Sequence, residues 1–266
     1  MINFNFLKKL FKREQEEIFF VDSNSDSEAN STSLMDIVIP YKGKGDSLIY
    51  VLRSIEKYFP HNRIFIVTDK KVDWAQNVTI VSCQDRHVGN KDANIIDKVM
   101  AACENGVSDE FMFWSDDQII LAPHNPIPVR NCRKPTLMVP SCRWEFRLKK
   151  TGEFVKENYK RELEFNFDSH VPQPMRKKEF LKLKGTGYQK SIGYCICTLY
   201  YGVNGFSETA LQTDVKATFE YDPVFNEAKT KDKLWIGFNE RMYNMGVKEY
   251  LERTFPEMSR FEKPLK

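Results

Sequence analysis

Phe111-Met112-Phe113-Trp114-Ser115-Asp116-Asp117-Gln118-Ile119-Ile120-Leu121 is the stretch on which the fold turns. A short apolar run ends in two adjacent carboxylates, and a second apolar run follows. Such runs read as strands buried on both faces. Working outward, Asp36 to Pro40 (DIVIP), Arg63 to Thr68 (RIFIVT) and Val78 to Ser82 (VTIVS) have the same character. Between them lie helical patterns. Asp46 is placed to cap a helix that buries Leu48, Leu52, Ile55 and Phe59, ended by Pro60. Asp92 to Cys103 forms a second helix, with Ile95, Ile96, Val99, Met100 and Cys103 as its apolar stripe. Strand, helix, strand, strand, helix, strand predicts crossover connections and a mostly parallel sheet flanked by helices. Ligands of such α/β sheets collect at the carboxyl ends of the strands, where Asp69 and Asp116-Asp117 fall.

The second half is less regular. Thr136 to Val139 reads as one more strand, and Glu145 to Asn166 as a hairpin around Lys150-Thr151-Gly152. Arg176 to Lys184 and Lys231 to Phe255 read as helices, and Gly185 to Gly187 as a loop. Residues 1–20 carry Phe6, Leu7, Leu10 and Phe11 at helical spacing among lysines and arginine, an amphipathic arm able to touch a membrane surface or the protein's own body. The polar stretch that follows (DSNSDSEANSTS) has nothing to bury and reads as a flexible linker, residues 21–34. The folded part is expected as one domain over 35–262.

Composition bounds the class. With 266 residues, 41% hydrophobic and 29% charged, the chain is neither collagen-like nor disordered throughout. It has no apolar run long enough to cross a membrane and no secretory signal pattern, which predicts a cytoplasmic protein. Six cysteines include no CxxC pair and no zinc-finger spacing, and read as reduced thiols. The net charge is only +3, yet residues 130–190 carry sixteen Lys or Arg against seven Asp or Glu, so the remainder sums to −6. Such a segment points to an anionic partner, or to acids lying near it in space.

Asp116 and Asp117 are the sharpest chemical signal. Like charges side by side are costly to bury unless a cation offsets them, and a hard divalent ion with oxygen ligands can also hold a nucleotide diphosphate. A solvated Asp-Asp turn is the plain alternative. Asp69, ending the second strand, is placed to accept from a ribose hydroxyl or a base. Lys42, Lys44 and Lys91 are candidate phosphate contacts, with Lys91 at a helix start that favours an anion. Asp168-Ser169-His170 offers an imidazole for a metal shell and a carboxylate for proton transfer.

Ile37-Val38-Ile39-Pro40, Leu52 to Pro60 (LRSIEKYFP), Ile64 to Asp69 (IFIVTD) and Phe113-Trp114-Ser115-Asp116-Asp117 together resemble a nucleotide-sugar-dependent transferase of the GT-A type. The likeness is to small glycosyltransferase-like proteins of bacteriophages and, over the same stretches, to Stealth-type capsular sugar-phosphate transferases. Asp168-Ser169-His170-Val171-Pro172 is similar to a His-Pro motif of both groups, and the tail Thr254 to Glu262 is similar to the phage proteins. The resemblance spans roughly 36–262. It implies a GT-A-like (Rossmann-type) α/β fold with a less regular C-terminal half, residues 35–128 holding the nucleotide sugar and 129–262 the acceptor.

It further implies that Asp117 binds Mn²⁺ or Mg²⁺ bridging the diphosphate of a UDP-sugar, that Asp116 contacts the ribose or the ion, that Asp69 belongs to the nucleotide pocket, and that His170 is a late metal ligand or phosphate contact. Asp168 is the candidate base. Where the family's DxD motif starts with a carboxylate, this chain has Ser115, which leaves Asp117 as the principal ligand. The implied acceptor is a hydroxymethylated pyrimidine in phage DNA, gripped by the basic segment and its aromatics Trp144, Phe146, Phe154, Tyr159, Phe165 and Phe167. The alternatives are transfer to a surface polysaccharide, and a binding module that kept the fold without the chemistry.

Overall fold

The computed structural model describes residues 34–43, 45–124, 127–131, 142–190, 192–206, 210–211, 215–219 and 222–264. The amphipathic arm, nearly all of the linker and the strand expected at Thr136 to Val139 lie outside these residues.

The elements run β1 (Asp36–Pro40), α1 (Ser47–Tyr58), β2 (Ile64–Thr68), β3 (Thr79–Ser82), α2 (Lys91–Glu104), β4 (Glu110–Phe113), β5 (Gln118–Ile120), β6 (Arg130–Asn131), α3 (Arg143–Tyr159), β7 (Gln173–Arg176), α4 (Lys177–Leu181), α5 (Ile196–Asn204), β8 (Ala210–Leu211), β9 (Lys216–Thr218) and β10 (Trp235–Gly237). A helical segment then extends from Glu240 to Thr254, kinked at Met245 and Gly246. The main sheet has the order β3-β2-β1-β4-β7. Its first four strands are parallel and β7 is antiparallel to β4. This is the mostly parallel sheet flanked by helices that the alternating pattern predicts.

Strand alternation explains why both faces are apolar. Ile37, Ile39, Ile64, Ile66, Met112 and Trp114 join one core, which takes in α1 and the C-terminal helical segment. Val38, Phe65, Val67, Phe111 and Phe113 point the other way, into a core built from α2, α4 and α5. Each strand therefore looks uninterruptedly hydrophobic in sequence. Past β4 the chain crosses into a smaller sheet of order β5-β10-β9, in which β10 is antiparallel to β5 and parallel to β9.

Three local expectations are corrected. Asp46 starts α1, but its side chain does not cap the helix. It accepts instead from Tyr243 Oη (2.5 Å) and Lys248 Nζ (2.8 Å), donors that only the tertiary fold brings near. The hairpin expected within 145–166 is mostly the helix α3. Leu148, Thr151 and Val155 are its buried face, at a spacing of three and four, and the Thr-Gly pair sits within it unbroken. The helix expected from Lys231 begins only at Glu240, because the apolar run around Trp235–Gly237 pairs as β10. A run that short has no distinguishing period. The smaller expected helix at 176–184 is α4 followed by a 3-10 turn, Lys182–Thr186.

At the amino end of the sheet, Asp36 is wholly buried. Its carboxylate accepts from Arg63 Nη2 (2.6 Å), Arg63 N (3.1 Å), Asn62 Nδ2 (2.9 Å) and Ser108 N (2.8 Å). Burial pushes this carboxyl up, but those donors outweigh it and hold it below the usual carboxylate range. Its contribution to stability is present above that range and is lost as pH falls through the depressed value. Asp36→Ala strands the donors that lace β1 to the segments entering β2 and β4. Urea unfolding at neutral pH is expected to show a loss of about 3 kcal/mol with an unchanged m-value.

Candidate active site

Going from β1 to β2 and β3 the chain moves outward on one side. It then returns to place β4 on the other side of β1. The helices after β1 and β3 therefore leave from opposite faces, and a crevice opens at the carboxyl ends of β1 and β4. A cleft of about 220 Å³ lies there, lined among others by Pro40 and Lys42 after β1 and by Ser115, Asp116 and Asp117 after β4.

The carboxylates are delivered by a tight turn. Gln118 N donates to Ser115 O (3.3 Å), and the Gln118 side chain accepts from Ser115 N (3.1 Å). Trp114, wholly buried, donates from Nε1 to Gln118 O (2.8 Å) and packs edge-on against Trp235. Asp116 and Asp117 occupy the two central positions of this turn, with little freedom to separate. Asp117 Oδ1 is shut off from solvent and, among the described residues, accepts no hydrogen bond. His170 Nδ1 stands 3.9 Å from it.

Burial, then the charge of Asp117, pushes the Asp116 carboxyl up to about 7, against the pull of Lys91. Burial also pushes Asp117 up, while Lys91 and Lys216 pull it down.

Other walls complete the cleft. Lys91 opens α2, whose first turn is capped by Asn90 accepting from Ala93 N (3.1 Å). Lys91, Ile95 and Lys98 recur at intervals of four and three on the face of α2 that meets the cleft. Lys98 is buried; its ammonium donates to Tyr41 O (2.9 Å) and pairs with Asp85 (2.7 Å). Arg147 of α3 pairs with Asp92. Among the described residues neither Lys42 nor Lys91 is in an ion pair, so these are the two cleft lysines open to an anionic ligand.

Asp168 lines the cleft while its carboxylate accepts from Thr198 Oγ1 (2.5 Å), Thr198 N (3.1 Å) and Cys197 N (3.3 Å) at the start of α5. Burial pushes its carboxyl up against the pull of those donors. His170 reaches the cleft from a left-handed backbone position (φ 55°). Behind it Gly237 matters: a Cβ there would lie 2.6 Å from Lys216 Cε and 3.7 Å from His170 Nδ1.

The structure thus gathers Lys42, Lys91, Asp116, Asp117, Asp168 and His170 around one cleft. Asp69 is not among its lining residues; its carboxylate meets Lys70 (3.2 Å), whose stem covers Gly43. Sequence reasoning missed Lys98, Arg147 and Lys216 as neighbours of the site. The Lys91-Ile95-Lys98 spacing carries a signal for the first. Nothing local marks the other two.

A carboxylate whose pKa rises on folding takes up a proton in the native state. Between the ordinary 3.8 and about 7, Asp116 therefore makes stability fall as pH rises. In chelator-containing buffer, Asp116→Asn is expected to raise the melting temperature by a few degrees at pH 8. The gain should vanish by pH 4, as thermal melts across that window will show.

No family model matches the chain, and no curated protein matches it in sequence. The resemblance to phage and Stealth-type proteins therefore rests on the quoted motifs. Among solved structures, the chain is similar to galactosyltransferase LgtC in complex with donor and acceptor sugar analogs, at 9% identity and a TM-score of 0.49, covering 86% of this chain and 98% of that one. It is also similar to the inositol-1-phosphate CTP transferase from T. maritima, at 12% identity and a TM-score of 0.46, covering 85% and 98%. Both scores fall below one half, so what the cleft does is argued from its own residues.

Proposed function

We propose that the cleft binds a nucleotide sugar and transfers the sugar to an acceptor hydroxyl. The observation that carries this reading is the turn after β4. It holds two adjacent carboxylates at the crevice of a mostly parallel sheet, next to two lysines; among the described residues one carboxylate oxygen is buried without a hydrogen bond and neither lysine is in an ion pair.

The donor set suits a hard divalent ion: carboxylate oxygens from Asp117 and Asp116, with the His170 imidazole beside them. Among the described residues no group of three such ligands stands preassembled. Mn²⁺ or Mg²⁺, if bound by Asp117 and Asp116, would supply positive charge to offset that developing on the departing diphosphate.

The chain's own groups do the rest. Lys42 and Lys91, with the amino end of α2, attract and orient the phosphates. Asp168, held in place by Thr198 and Cys197, is the proposed acceptor of the proton from the attacking hydroxyl; burial raises its carboxyl above the ordinary carboxylate value, which makes it a stronger base than a solvated aspartate. The balanced step forms a bond from acceptor oxygen to anomeric carbon, breaks that carbon's bond to the diphosphate oxygen, and leaves the proton on Asp168.

The proposed acceptor is a hydroxymethylated pyrimidine in DNA, with surface polysaccharide as the second reading. The basic segment is weaker support for DNA than its charge count suggests. Arg147, Arg176, Lys177 and Lys184 meet Asp92, Glu110, Asp109 and Glu104, all outside the segment, and Lys150 and Lys156 meet Glu153 and Glu162 within it. The exposed Trp144 in the cleft wall supports a base-bearing ligand, whether donor or acceptor.

A thermal-shift screen of nucleotide sugars with and without Mn²⁺ tests the reading. A bound donor at a hundredfold its Kd adds about 2.7 kcal/mol of apparent stability. Asp117→Ala is expected to abolish both this metal-dependent shift and sugar transfer; transfer at full rate by that variant refutes the assignment. For the acceptor, nucleoside mass spectrometry of hydroxymethylated DNA after incubation reads the product. If about five phosphates are contacted, log affinity for DNA should fall against log salt with a slope near −4.5. Affinity that ignores salt removes DNA in favour of the polysaccharide.

A further inference from the structure

The six aromatics interleaved with the basic segment are equivalent in sequence and have different fates in the fold. Phe154 packs on Tyr194 (4.9 Å between centroids) and Tyr159 (6.0 Å). Phe165 meets Phe167, which packs on Tyr201 at 4.7 Å. Phe146 is exposed, away from the cleft, with the Lys150 ammonium over its ring. Of the six, Trp144 alone lines the cleft.

Among the described residues its ring is in no aromatic pair. Trp114 and Trp235 are 0% and 1% exposed and pack on each other, and Trp74 packs against the core, whereas Trp144 is 39% exposed. The turn that carries Trp144 is anchored. Arg143, one residue before it, donates to Gly89 O, and Arg147, one turn after it, pairs with Asp92. Both contacts tie the first turn of α3 to the loop and first turn of α2, beside Lys91. A large aromatic side chain with two side-chain torsions offers a broad face for a flat ring to stack on.

We propose that Trp144 is the nucleobase platform of the cleft: its indole face stacks on the planar base of the ligand whose phosphates Lys42 and Lys91 attract. This rests on the nucleotide-sugar reading and adds the residue that would discriminate base-bearing ligands from base-free ones. The base comes from one of two sources, the nucleotide of the donor or a base presented by a nucleic-acid acceptor.

Intrinsic fluorescence and calorimetric titration of the full chain separate them. The ligands are UDP, inorganic pyrophosphate and a pyrimidine-only single-stranded oligodeoxynucleotide. Quenching by UDP identifies the donor base as the stacked ring; quenching by the oligodeoxynucleotide alone identifies the acceptor base. Pyrophosphate should bind without quenching. Trp144→Ala should weaken the quenching ligand about tenfold and leave pyrophosphate affinity unchanged, while Trp144→Phe keeps affinity within about threefold. An unchanged melting temperature in both variants confirms that the fold is intact. Full-strength binding of UDP and oligodeoxynucleotide by Trp144→Ala overturns the platform alone. Wild-type protein that binds neither overturns the platform together with the nucleotide-sugar reading.

Discussion

Holding Asp116 beside Asp117 in a half-buried turn is unfavourable, and much of the surrounding structure makes it possible. Burial raises both carboxyls, and the charge of Asp117 adds to the rise of Asp116. The turn persists because its ends are fixed. On one side β4 is paired to β1 and Trp114 is locked in the core; on the other Gln118 begins a strand held by β10. The repulsion is offset in part by Lys91 and Lys216, from a helix start and from a strand far along the chain. A site of this kind trades stability for the capacity to bind positive charge or to hold a proton, as functional sites commonly do.

The cleft's charges fall into two groups. Lys98 with Asp85 and Arg147 with Asp92 are structural pairs that fix α2 to β1 and α3 to α2. Lys42 and Lys91 line the cleft without an ion pair among the described residues. Asp168 spans both groups: it secures the start of α5 through Thr198 and Cys197 and borders the cleft. Gly237 makes room of the same kind, since the end of the Lys216 side chain occupies the space a Cβ there would take.

The basic segment shows how far charge counting reaches. Its excess is real along the chain, but Asp92, Glu104, Asp109 and Glu110 come from the α2–β4 region and meet it in space. The hairpin expected within 145–166 failed for a related reason. Charges and aromatics alternate there with no clear period, and the buried face of α3 is only Leu148, Thr151 and Val155. Asp46 looked like a cap because caps are local, whereas its partners Tyr243 and Lys248 belong to the last helical segment.

The residue pattern alone makes the parallel core of the fold legible. The runs at 36–40, 64–68 and 110–113 are apolar on both faces, and only a sheet covered on both sides buries them. It also marked Lys42, Lys91, Asp116, Asp117, Asp168 and His170, because chemistry-bearing residues stand out at strand ends and helix starts. Long-range contacts alone bring these six to one cleft, leave Asp69 off its lining, put α3 with Trp144 in its wall, and bring Lys216 and His170 near Gly237. The reason is the reach of the interactions. Strand and helix periodicity acts over a few residues, whereas the site is assembled by the reversal of strand order between β1 and β4 and by contacts across most of the chain.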